Sequence, residues 1–345
     1  MMKIRVFCVL FIFCLALTSC TNEDKGFDKQ DFAMGTVITQ HIYGANAQKA
    51  SEEVISKIKQ LETDMTINKP GGEINKLNAE SGNGKWVKLD PEIIYVLKKA
   101  IDFGAKSNGA FDVTVGPLVK AWGIFTDNFR IPKDPELAQL KKLVNLKWLL
   151  IDEKNSSARL VKKGQIVDLG GIAKGYSGDV AKEIYLKNGI TSAYISLGGN
   201  IVTVGSKPDG SAWNVGIQNP RAPNGKYLGI VPIRNQSVVT SGDYERFKEV
   251  NGVRYHHILD TKTGKPAISG LISTSIVSDF SIDGDALSTA TFVLGLEKGR
   301  ALIESLPGVD AIFVTSDKKI YVTSGLKGVF TLTDESKEFT YVQEG

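Results

Sequence analysis

The sequence has few of the residues from which covalent cross-links and soft-metal centres are built. Its three cysteines, Cys8, Cys14 and Cys20, all lie in the first 20 residues, and the only histidines are His41, His256 and His257. The remainder has no thiol pair for a disulfide or a Cys-based metal site, even in an oxidising compartment. Charge of one sign is also scarce. The 42 Lys and Arg stand against 38 Asp and Glu, a balance that argues against a nucleic-acid surface. No Pro/Ser-rich linker, low-complexity run or internal repeat divides the chain, which reads as one large body with two lobes. Past residue 20 no apolar run is long enough to span a bilayer.

What is present at the start is a leader. Lys3 and Arg5 precede a mainly apolar run over 6–17, which ends in Leu17-Thr18-Ser19-Cys20. The run is short for a membrane span and reads as a secretory signal peptide over 1–19, with a lipobox-like end and Cys20 as lipid acceptor. Loss of Lys3 and Arg5 with this leader lowers the formal charge from +4 to +2. The polar stretch that follows reads as a flexible tether over 20–31, and 32–345 as the folded domain. The expected location is that of a bacterial membrane lipoprotein facing the periplasm, at the inner membrane.

Apolar spacing predicts a helix over 48–65 and a second beginning at Asp90-Pro91, an N-cap followed by a first-turn proline. A third is expected over 135–146. Strands are expected over 148–152, 158–161 and 165–169. After a helix lasting to about residue 187, more strands follow over 192–197, 201–205, 213–217 and 228–233. Helices over 285–294 and 297–306 precede closing strands near 311–314, 320–323 and 329–333. Mixed sheets with helices on their faces, without strict βαβ alternation, give an α+β class.

Two segments carry chemistry. Asp168-Leu169-Gly170-Gly171-Ile172-Ala173-Lys174-Gly175 is a glycine-dense turn opening a helix. Its missing Cβ atoms, unpaired helix N–H groups and Lys174 suit a phosphate, although no Ser or Thr follows the lysine as a P-loop requires. In Asp283-Gly284-Asp285-Ala286-Leu287-Ser288-Thr289-Ala290, helical spacing puts Asp285 and Thr289 on one face, where a carboxylate and a hydroxyl suit a hard cation. The plainer alternatives are a strand-to-helix connection, and a helix capped by Asp283 with an ordinary Thr289.

These segments occur in fixed order with Met34-Gly35-Thr36, Gly109-Ala110-Phe111-Asp112, Ser241-Gly242-Asp243-Tyr244-Glu245-Arg246 and His256-His257-Ile258-Leu259-Asp260. Together they resemble the ApbE family of FAD:protein FMN transferases, over about residues 32–333. The resemblance implies an ApbE-like, T-fold-like α+β body. It also implies magnesium-dependent transfer of FMN from FAD, through a phosphoester, to a Thr or Ser of an acceptor redox flavoprotein, with release of AMP. By match to family positions, Gly171, Asp285 and Thr289 would hold Mg²⁺. Met34, Asn68, Ala110, Phe111, Asp112, Asp168, Lys174 and Leu259 would bind FAD, and His257 would take the acceptor's proton. Asn68 departs from the tyrosine common at its place. That leaves open a metal-dependent FAD pyrophosphatase giving FMN and AMP; a second alternative, a non-catalytic FAD-binding lipoprotein, follows from the lipoprotein leader and a glycine-rich pocket that serves storage as well as catalysis. His256 and His257 are neighbours in what reads as a strand, so only one can face the site.

Overall fold

The computed structural model describes residues 26–124 and 126–343. The expected signal peptide and Cys20 lie outside the described residues. A nine-stranded sheet organises the body: β1 (Phe27–Ala33), β2 (Thr36–Tyr43), β3 (Ser192–Leu197), β4 (Asn200–Val204), β5 (Ser237–Gly242), β6 (Leu271–Ser278), β7 (Val309–Thr315), β8 (Lys319–Val322) and β9 (Thr340–Tyr341). The strands lie side by side in chain order. Each is antiparallel to the one before, except that β9 runs parallel to β8.

The two faces of this sheet follow from residue alternation. On one face lie α1 (Ala47–Met65), α3 (Ala173–Lys187) and α4 (Ser281–Leu294), with α2 (Pro91–Lys106) packed beyond α4. Ile38, Ile42, Ile195 and Leu197 of the sheet pack there with Val54 and Ile58 of α1 and Tyr185 of α3. The other face is covered by a three-stranded sheet of Trp213–Gln218, Tyr227–Ile233 and Thr331–Leu332, whose Val215, Ile217 and Val231 meet Val238, Ile312 and Val314. This is the expected α+β architecture. Among the described residues no helix is long and apolar enough to cross a membrane.

Several local expectations are corrected. The tether does not reach residue 31, because β1 begins at Phe27 and pairs with β2 along its whole length; its polar residues are those of an exposed edge strand. The third helix stops at Leu140 and gives way to 3₁₀ turns, the second opened by Asn145, whose side chain accepts the Lys147 N–H. The segment 165–169 is extended but forms only a bridge from Ile166 to Val115. The helix expected from 285 begins at Ser281, and Asp283 does not cap it: that carboxylate pairs with Lys99 at 2.7 Å. The cap comes from another helix. Asp179 of α3 accepts the N–H groups of Ser281 and Ile282 at 2.7 and 2.9 Å, and burial pushes its carboxyl up to about 7.

That cap sits in a close crossing of α3 and α4, which the absence of side chains permits. A Cβ on Gly175 would fall 2.4 Å from the Ser281 carbonyl and 2.7 Å from Asp285 Cβ. Gly175→Ala is therefore expected to push the helices apart and lower stability by about 1–3 kcal/mol. It should also lower activity, since α4 carries Asp285 and Thr289. A urea titration beside a turnover assay checks this, and unchanged stability would contradict the tight crossing.

Candidate active site

A cavity of about 880 Å³ reaches from the helical layer to the three-stranded sheet, within the usual size for a small-molecule site. It collects all the expected site residues except two: Ala110, Phe111, Asp112, Asp168, Gly171, Lys174, His257, Leu259, Asp285 and Thr289 line it. Met34 and Asn68 do not. Met34 sits at the β1–β2 turn with φ 52°, and its sulfur accepts from Ser177 at 3.3 Å, so the side chain packs inward while Gly35 and Thr36 face the cavity. Asn68 lies in the exposed loop after α1, and its N–H donates to Thr66.

Two acids brace the loops at this end of the cavity, each within its own segment. Asp168 Oδ1 accepts the Gly170 N–H at 2.8 Å, and Asp112 Oδ1 accepts the Thr114 N–H and hydroxyl at 2.7 and 2.6 Å. Burial raises both carboxyls against these bonds. At the start of α3 the Gly175 N–H, one of the donors that a helix N-terminus leaves without an intrahelical partner, donates to Asp285 Oδ2 at 2.8 Å. A Cβ built on Gly171 would stand 3.5 Å from Thr289 Oγ1, so this backbone lies against the threonine hydroxyl. The other Asp285 oxygen is 3.5 Å from Lys174 Nζ. The Asp285 carboxylate and the Thr289 hydroxyl of α4 thus lie against the backbone that leads into α3.

These are hard oxygen donors. Among the described residues no three His, Cys, Asp or Glu side chains gather, so a cation here would be held by this mixed set together with substrate oxygens. That fits magnesium, which commonly takes one or two carboxylates plus phosphates.

The two neighbouring histidines are separated as expected, but not by strand alternation alone. The strand Val253–His256 ends at His256. That ring is buried, with Nε2 donating to the Ala267 carbonyl at 3.0 Å and its edge toward Phe292. His257, just past the strand, faces the cavity. Its Nδ1–H donates to the Arg246 carbonyl at 3.2 Å, which puts the lone pair of the neutral ring on Nε2. Burial, with Arg246 and Lys174 nearby, lowers its proton affinity to about 3.

Other cavity residues had been quoted only as part of a motif. Ser241 Oγ stands 2.9 Å from Ser288 Oγ and 3.4 Å from Thr289 Oγ1. Arg246 reaches the Gly35 carbonyl at 3.4 Å. The glycine and acid signature of 241–246 marked the segment, but the contacts depend on tertiary structure.

The chain is similar to known proteins over most of its length. A FAD:protein FMN transferase of Treponema pallidum (strain Nichols) is 36% identical over 319 residues, covering 88% of each chain. One of Klebsiella pneumoniae (strain 342) is 34% identical over 303 residues, covering 88% of this chain and 93% of its own. Among solved structures, the ApbE protein of Thermotoga maritima superposes with a TM-score of 0.82 at 32% identity, over 88% of this chain and 99% of the other. The model of the ApbE family matches residues 34–313, and this chain belongs to that family.

Proposed function

We propose that this chain is a FAD:protein FMN transferase that moves FMN from FAD to a Thr or Ser hydroxyl of a target flavoprotein and releases AMP. The observation that carries the reading is the meeting of Asp285, Thr289 and the Gly171 backbone with His257 in one cavity. The acceptor oxygen forms a bond to the FMN phosphorus while the bond to the bridging pyrophosphate oxygen breaks, AMP leaving with the electron pair. The hydroxyl proton goes to Nε2 of His257, which is neutral and has its ring fixed through Nδ1. Lys174 places a positive charge beside Asp285 at the N-terminus of α3, where phosphate oxygens are favoured. Gly171, Asp285 and Thr289 would hold Mg²⁺, which supplies charge neutralisation on the pyrophosphate.

The leader sequence supports the rest of the proposal, a lipid anchor at Cys20 that holds the enzyme on the periplasmic side of the inner membrane beside membrane redox proteins. The pyrophosphatase alternative drew on Asn68, which lines no part of the cavity. The test is to incubate the purified protein with FAD, MgCl₂ and a membrane-protein fraction, then to measure AMP and protein-bound flavin after denaturation. Both products are expected, and chelation by EDTA should stop both. AMP without bound flavin would make the protein a hydrolase. FAD binding without either product would make it a carrier.

A further inference from the structure

The cavity has a second arm that the flavin and metal assignments leave unused. Ile38, Ile195 and Leu197 face the helices, so the alternate residues Thr39 and Ser196 face the other way. They line the cavity with Ile201, Gly216 and Gln218. Asp285, Thr289 and Lys174 belong to the helical side. One cavity therefore reaches both faces of the same sheet.

The passage lies where the sheet is incomplete. β6 pairs with β5 along all of Ser237–Gly242, whereas β4 pairs with it only at Ser237 and Val238. Before β4 the chain doubles back from β3 through Gly198-Gly199, with φ of 61° and 100°, a two-residue hairpin that only such residues make easily. From Val239 to Gly242, no strand among the described residues pairs with β5 on that side. The Asp243 N–H donates to the Ile272 carbonyl at 3.2 Å, which fixes the ladder's parity: Val239 and Ser241 bond toward β6, and the N–H and C=O of Thr240 point to the open side. The next residue, Ser241, touches Thr289. An unpaired strand edge thus runs into the reacting site.

In-line displacement needs the nucleophile to approach from the side opposite the leaving AMP, and this arm supplies a second approach.

We infer that the second arm is the acceptor subsite, taking an extended segment of the target polypeptide that adds as a short strand to the Thr240 edge. Main-chain pairing would give affinity. This rests on the transferase reading. The segment's Thr or Ser would then meet His257.

The test uses the full protein with FAD, MgCl₂ and capped peptides of Gly, Ala and Val around one Thr, read by mass spectrometry. FMN should be attached to the Thr. N-methylation of peptide amides should raise KM about tenfold at alternate positions and little at those between, as strand pairing requires. Thr240→Pro removes the edge N–H and keeps the backbone ladder to β6, losing there only the side-chain bond between Thr240 Oγ1 and Ser275 Oγ at 2.7 Å. It should raise the peptide KM about tenfold and leave the Kd for FAD within about twofold. The N-methyl series needs no variant, so it decides the matter even where Thr240→Pro fails to fold. Loss of the alternation, or weaker FAD binding by a folded Thr240→Pro protein, would overturn the assignment. Labelling of membrane proteins but of no peptide would end the subsite proposal and leave the transferase standing. AMP release with labelling of neither would remove the transferase reading itself.

Discussion

Asp285→Ala is expected to lower AMP release from FAD by about 10²–10⁴-fold, the several kcal/mol that charge neutralisation at a phosphoryl centre supplies. Asp285 is the only carboxylate in the proposed ligand set, so no neighbour replaces it. The substitution has a structural cost as well. Asp285 is buried and accepts the Gly175 N–H, and an orphaned buried donor costs about 1–3 kcal/mol. Asp285→Asn separates the two effects, because its amide oxygen still accepts that N–H but carries no charge. The expected result is near-native stability with a loss of turnover comparable to that of the alanine variant. Magnesium-dependent turnover within about tenfold of wild type in a folded Asp285→Asn protein would remove the metal assignment.

His257→Ala should retain FAD binding and slow transfer by roughly 10²–10⁴-fold, the usual cost of losing a general base. His256→Ala should act on the fold instead. It deletes a buried ring and its bond to Ala267, lowering stability by about 1–3 kcal/mol with little change in single-turnover rate. If the His256 variant lost more rate than the His257 variant while folded, the roles would have to be exchanged.

The pH dependence follows from the same environment. With the folded pKa of His257 near 3 against an ordinary 6.5, the ring stays neutral through the physiological range. The acid limb of the transfer rate is expected well below the usual imidazole titration. The sign for stability is equally definite. Between about 3 and 6.5 the unfolded chain binds the proton that the folded chain refuses, so this group's contribution is complete above about 6.5 and is lost as pH falls toward 3. Urea midpoints at pH 7 and pH 4.5 should differ less for His257→Ala than for wild type. An equal difference would show that the ring titrates normally.

The sequence by itself determined the features governed by neighbours a few residues away. The periodic apolar faces of α1 and α2, and the Asp90 cap that accepts the Glu92 N–H, were legible because helix hydrogen bonds and side-chain stripes are local. The order of the glycine turn, the Asp285–Thr289 pair and the two histidines identified the family for the same reason, each being a short constellation. Strands were less legible where pairing overrides pattern. β6 reads Leu-Ile-Ser-Thr-Ser-Ile-Val-Ser, is buried on both faces and shows no alternation. β1 is a polar edge whose only strong signal is the partner beside it.

Only the tertiary structure decided which residues share the cavity. It turned Met34 inward and left Asn68 in an exposed loop, although both were matched to family positions together with residues that line the site. It drew Gly175 onto Asp285 across 110 residues and capped α4 with Asp179 from another helix. It also ended β4 early, opening the edge of β5 toward the reacting groups. The physical reason is common to these cases: the donors, acceptors and strand edges concerned are satisfied or exposed by partners distant in the chain, and no local period records them.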